Sequence, residues 1–139
     1  MLHNWFSKSG ESVLAALWVA NPIKVMLMKP TFTPDRDVQL VYTDISAQEI
    51  TGTGYTAGGL ALTTRTAVYS AASDRTDLTA DDSVWGPGAT FDAAFAVVYD
   101  SSGSKPLWSL VNFEGTKSVA AGTFTIDWNS AGLLYLAAL

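Results

Sequence analysis

The segment Thr123-Phe124-Thr125-Ile126-Asp127-Trp128 alternates polar and apolar side chains without a break. Successive strand residues point to opposite faces, so the pattern reads as a β-strand with one buried and one wet face. Downstream, Asn129-Ser130-Ala131-Gly132 turns the chain into a further apolar run at 133–136. Upstream, Ala94-Phe95-Ala96-Val97-Val98-Tyr99 is continuously apolar, as in a strand covered on both faces. Asp100-Ser101-Ser102-Gly103 then turns the chain back into 107–113, which predicts a hairpin over 94–113. Further strands are expected at 23–28 and 38–42, with one long or two short strands in 60–70. Another begins at 83–85 and is interrupted by Gly86-Pro87-Gly88, whereas residues 74–82 read as a polar, acidic connection. Strands at this spacing predict an all-β fold, an antiparallel sandwich or barrel-like domain.

One stretch breaks the period. Residues 9–20 read as a short helix, with Ser9 as N-cap and Glu11 near the positive end of the helix dipole. Val13, Leu14, Leu17 and Trp18 form one apolar stripe, and Asn21-Pro22 ends the run. The expected organisation is therefore an N-terminal arm or helix over 1–21 and a single β domain over 22–139. The apolar run at 13–20 is far shorter than the roughly 20 residues a spanning helix needs. Lys8 precedes it in the manner of a secretion signal, but Glu11, Asn21-Pro22 and the lack of an Ala-x-Ala site favour folded structure.

Composition narrows the chemistry. The 139 residues include no Cys and one His, His3. That excludes disulfides, Cys-containing zinc sites and multi-His metal sites, and leaves only His3 for a Ser-His-Asp triad. A net charge of −5 argues against nucleic-acid binding. Asp35-Arg36-Asp37 and the set Asp74, Asp77, Asp81 and Asp82 lack calcium-loop spacing and read as turn acids. Asp44, Glu49, Asp92, Asp100, Glu114 and Asp127 supply carboxylates, but nothing singles out a catalytic pair. The glycines of 52–59 lack the Lys and the following helix of a phosphate loop. No catalysis, cofactor or metal is expected.

The surface carries its own signal. Only 15% of residues are charged, against about 25% in an ordinary globular chain. Interface cores are depleted in charge, so the chain reads either as a neutral-surfaced β domain or as a subunit covered by neighbours. Its few cations lean to the start, with Lys8, Lys24 and Lys29 facing only Glu11 in residues 1–34. Trp18, Trp108 and Trp128 sit in apolar stretches and are expected in the core, whereas Trp5 and Trp85 are freer to be exposed.

Four stretches carry a resemblance. They are Ile23-Lys24-Val25-Met26-Leu27-Met28 with Thr33-Pro34-Asp35; residues 42–50 running into Thr51-Gly52-Thr53-Gly54-Tyr55-Thr56-Ala57-Gly58-Gly59; Asp81-Asp82-Ser83-Val84-Trp85 with Ala96-Val97-Val98-Tyr99; and residues 124–134. In order and spacing, over about residues 22–136, the chain resembles a family of small tailed-phage virion structural proteins. The resemblance is closest to head decoration, or cement, proteins, and the glycine-rich stretch is its most specific part. It implies a head-surface location in the virion after synthesis in the bacterial cytoplasm, with the major capsid protein as partner. It brings no catalytic residues, and no nucleic-acid or membrane partner is expected. Capsid geometry adds a homo-oligomer, a trimer first. The expected capsid contacts are Trp5, Lys8 and Trp18 in the arm and Thr51, Gly52, Thr53, Gly54, Tyr55, Gly58 and Gly59 in the loop. The alternative is a tail or tail-fibre component that takes host glycans through Trp5 or Trp85.

Overall fold

A computed structural model describes residues 7–128 and 134–137. Trp5, His3 and the 129–132 turn lie outside the described residues. The protein is all-β with antiparallel sheets and one short N-terminal helix. It divides into two compact units, one built from 1–21, 63–82 and 127–139, the other from 22–62 and 83–126. The segment after residue 22 thus contributes to both.

In the first unit, helix α1 (Ser7–Ala20) accompanies a sheet of order β3-β4-β7, with β3 at Thr66–Ser70, β4 at Arg75–Thr79 and β7 at Leu134–Ala137. The helix begins before the expected Ser9 cap. Its apolar stripe is also not buried as a unit. Trp18 is fully buried and donates its indole Nε1–H to Thr79 O at 3.2 Å, whereas Val13 is 60% exposed and Leu14 and Leu17 remain on the surface. The helix ends where Asn21-Pro22 predicts. Its orphan carbonyls are taken by Arg65, whose Nε reaches Trp18 O at 2.8 Å and whose terminal nitrogen reaches Val19 O and Asn21 O. A cation at this end also complements the helix dipole. β4 occupies the stretch read as an acidic connection. Thr76 and Leu78 are buried while Arg75, Asp77 and Thr79 face outward, and Arg75 pairs with Asp77 at 2.8 Å. The alternation was present, but with only one large apolar residue it carries little hydropathy.

The second unit is a four-stranded sheet of order β2-β1-β5-β6. Here β1 is Ile23–Met28, β2 is Leu60–Ala61, β5 is Ser83–Asp100 and β6 is Leu107–Ile126. β1 matches its expected bounds. It pairs with β5 from Ile23↔Asp100 to Met28↔Phe95, and no residue of it is exposed. Met26, Met28, Phe32, Ile45, Val97 and Tyr99 form one buried cluster on this sheet. β5 continues through Gly86-Pro87-Gly88, where a register shift against β6 replaces the expected break.

β6 cannot be straight. The rings of Phe113 and Phe124 have centroids 5.9 Å apart, whereas eleven residues of extended strand span about 36 Å. Between the pairs Ala93↔Lys117 and Phe95↔Asn112, four β6 residues oppose a single β5 residue. Glu114 and Gly115 take φ of 57° and 135° there, and Asn112 Oδ1 accepts the Glu114 N–H at 2.8 Å. Such a bulge bends a strand and sharpens its twist. With the second irregularity near Ala121, which takes φ of 48°, it brings Phe124 back towards Phe113 and Phe91.

Residues 38–42 are not a strand. Gln39 closes a tight turn, its N–H donating to Asp35 O and its side-chain Oε1 accepting the Asp35 N–H at 2.8 Å. Asp44 Oδ2 then accepts the amides of Leu40 and Val41, which starts helix α2 (Tyr42–Ile45). Local side-chain acceptors outcompete a ladder here and leave Val38 and Leu40 exposed.

Candidate functional site

The glycine-rich loop is built onto the second unit from both sides. Glu49 lies beside the end of β1, and Ile50 N–H donates to Leu27 O at 3.0 Å. The chain then crosses to β5, where the Thr90 N–H donates to Thr53 O at 3.0 Å, and returns through Gly59 to pair β2 with β1. Glycine is required at the close approaches. A Cβ on Gly59, which has φ of +71°, would fall inside the Val25 carbonyl, and one on Gly52 would strike Thr90 O and Phe91. The loop is thus a strap laid directly on sheet backbone, with no cradle for a phosphate.

Two side chains lock it. Glu49 is buried at 6% exposure and its carboxylate accepts three hydrogen bonds. Tyr55 OH donates to Oε1 at 2.5 Å, Gly58 N–H to the same oxygen at 2.7 Å, and Tyr42 OH to Oε2 at 3.0 Å. Tyr55 OH in turn accepts the Leu27 N–H at 3.0 Å, and Tyr99 OH donates to Gly58 O at 2.8 Å. Burial, reinforced by the bond to Glu49, pushes the Tyr55 phenol well above its ordinary value, and Tyr42 is raised for the same reasons. Burial and the neighbouring Tyr42 and Glu49 charges push Tyr99 up to about 12. All three phenols therefore act as neutral donors. The Tyr55 ring also packs against Trp85 and Phe91, tying the strap to the aromatic cluster of β5 and β6.

The fold distributes the expected contact residues unevenly. Thr51, Gly52, Thr53 and Gly54 form an exposed crest, while Tyr55, Gly58 and Gly59 are half-buried in the lock. Trp18 is buried, so its indole is not presented to a partner. Trp5 and the Lys8 side chain lie outside the described residues. Two tryptophan expectations reverse. Trp85 is buried at 2% exposure, packed against its register partner Phe124 and under the Tyr55 ring of the strap, and Trp108 is half-exposed on a surface groove. Trp128 is in the core as expected. Sequence reading missed Glu49 as the organiser; its one signal is an acid set beside Ile45 and Ile50.

Two other carboxylates serve turns and caps. Asp100 Oδ1 accepts the Ser102 N–H and hydroxyl at 2.8 and 2.6 Å, and Asp44 caps α2. Among the described residues, no three His, Cys, Asp or Glu side chains converge as metal ligands would. What the site offers is an uncharged crest of hydroxyls and main chain held on a locked base. No protein-family model matches the chain, and no curated protein or solved structure matches it either.

Proposed function

We propose that this protein is a structural component of a tailed-phage particle, a capsid decoration protein that bridges subunits of the major capsid protein. The observation that carries the reading is the strap at 51–59. It is the most specific stretch of the sequence resemblance, and its crest of Thr51, Gly52, Thr53 and Gly54 stands exposed on a base locked by Glu49 and Tyr55. A preorganised loop loses little conformational freedom on docking, so its contacts convert efficiently into affinity. An uncharged crest also suits the centre of an interface, which is depleted in charge. Added contact between capsid subunits raises the cost of separating them.

Counting copies on purified particles tests the reading. Several hundred copies spread over the head are expected, and a few copies at one vertex or on the tail would overturn it. The glycan-binding alternative loses one of its two platforms, since Trp85 is buried.

A further inference from the structure

The 32–40 loop and strand β6 are stitched together at one end and stand apart at the other. At the seam, Leu107 N–H donates to Leu40 O at 2.9 Å, Tyr42 N–H donates to Lys105 O at 2.9 Å, and Val41 bridges Pro106. Ahead of the seam the loop is braced by its own turn. Gln39 N–H donates to Asp35 O at 2.9 Å, Gln39 Oε1 accepts the Asp35 N–H at 2.8 Å, and Gln39 Nε2 donates to Thr33 O at 3.2 Å. Collapse of the loop onto β6 would break these bonds, so the gap between them is part of the fold.

That gap is a cavity of about 220 Å³ within the second unit. Its floor is the buried, apolar set Phe32, Ile45 and Val97. The half-exposed Trp108 lines the β6 wall, and Asp35 and Arg36 line the loop wall. Asp35 Oδ1 accepts the Asp37 N–H at 3.1 Å. Asp35 Oδ2 and the Arg36 guanidinium have no hydrogen-bond or ion-pair partner among the described residues. The rim therefore sets an anionic acceptor beside a cationic donor, above an apolar floor and an indole.

This combination selects its ligand by exclusion. A purely apolar group would strip water from Asp35 and Arg36 and return no hydrogen bond. A phosphate or other anion would meet Asp35 and Asp37 on either side of Arg36, in a chain of net charge −5. A cation would meet Arg36. A neutral ligand with one apolar face and a rim of hydroxyls meets none of these costs. The volume admits one small ring, since pockets for drug-sized ligands run to about 300–1,000 Å³.

We propose that the groove binds a single neutral pyranose residue. The C–H face of the sugar lies against Trp108, one rim hydroxyl donates to Asp35, and its neighbour accepts from Arg36. Charge-assisted bonds of this kind are the stronger ones, and both partners are already in place. This inference does not rest on the particle reading, and it uses neither Trp5 nor Trp85.

A proton–nitrogen NMR titration of the full chain with the methyl pyranosides of glucose, mannose, galactose and N-acetylglucosamine tests it. For ligands of about 13–16 heavy atoms a Kd on the order of millimolar is expected. At least one sugar should move the Trp108 indole signal and the amides of Asp35 and Arg36 saturably, while the indole of buried Trp85 stays unmoved. Trp108→Ala should abolish the response. Asp35→Asn keeps the oxygen that accepts the Asp37 N–H, and Arg36 makes no bond within the described residues, so Asp35→Asn and Arg36→Gln should leave the fold's spectrum intact. Each should weaken sugar binding about tenfold. No saturable shift from any of these sugars at about 100 mM would overturn the proposal. So would an equal response to glycerol, which lacks a ring face, tighter binding of adenosine monophosphate, or sugar binding indifferent to the Asp35 and Arg36 changes.

Discussion

The two strands of one hairpin fare oppositely. Ala94-Phe95-Ala96-Val97-Val98-Tyr99 of β5 and Leu107-Trp108-Ser109-Leu110-Val111-Asn112 of β6 lie side by side, and both are rich in large apolar residues. Yet Val98 is fully buried and Val97 nearly so, whereas their partners Ser109 and Leu110 are half-buried. β5 has β1 on its other side and β6 has none among the described residues. Burial here follows place in the sheet and not hydropathy.

The comparison breaks most readily at its most buried point. Val98→Asp should cost about 4 kcal/mol or more, since it buries an unpaired carboxylate, and urea denaturation should find the chain unfolded or nearly so. The same change at its register partner, Ser109→Asp, should cost below about 1 kcal/mol. Equal losses at the two positions would mean that β6 is as enclosed as β5.

The strap shares the enclosed side, through Leu27 and Thr90, and predicts the next effect. Glu49→Ala leaves Tyr42, Tyr55 and the Gly58 amide without their acceptor and should cost about 3 kcal/mol, with faster hydrogen exchange at 51–59. Unchanged exchange there would show that the glycine contacts alone hold the loop.

A pH titration separates the same regions by phenol. Tyr42, Tyr55 and Tyr99 have folded-state values raised above the ordinary 10.0. Their neutral forms therefore stabilise the fold fully below pH 10, and that contribution is lost as pH rises through the folded values. Tyrosinate absorbance should rise late and together with loss of structure. An early rise from all the tyrosines, with the fold intact, would contradict the lock. The smallest effect is expected at the exposed turn, where Val38→Ser should change stability by no more than about 0.5 kcal/mol.

Much of this architecture is legible in residue order. β1 lies where Ile23-Lys24-Val25-Met26-Leu27-Met28 predicts it, and Asn21-Pro22 ends the helix because the residue before proline resists the α region. The errors share one cause. Residues 38–42 look like a strand until Gln39 and Asp44 spend their side chains on nearby amides, and 75–79 looks like a loop until a neighbour buries Thr76 and Leu78. The strap is legible as a glycine-rich loop, but its lock is not, because Glu49 meets Tyr55 only once the strap has folded back onto β1, where Tyr55 OH also accepts the Leu27 N–H.

The sequence by itself determined the all-β class, the helix stop and the absence of disulfide chemistry, since these follow from local period, backbone sterics and composition. Tertiary structure decided that Trp85 is buried while Trp108 lines a groove, and that β5 is central while β6 is an edge. Those outcomes depend on which segments become neighbours. Pairing between segments far apart in sequence sets that, as where β1 takes the far side of β5 and the strap's Tyr55 ring stacks on Trp85, and no local pattern encodes such partners.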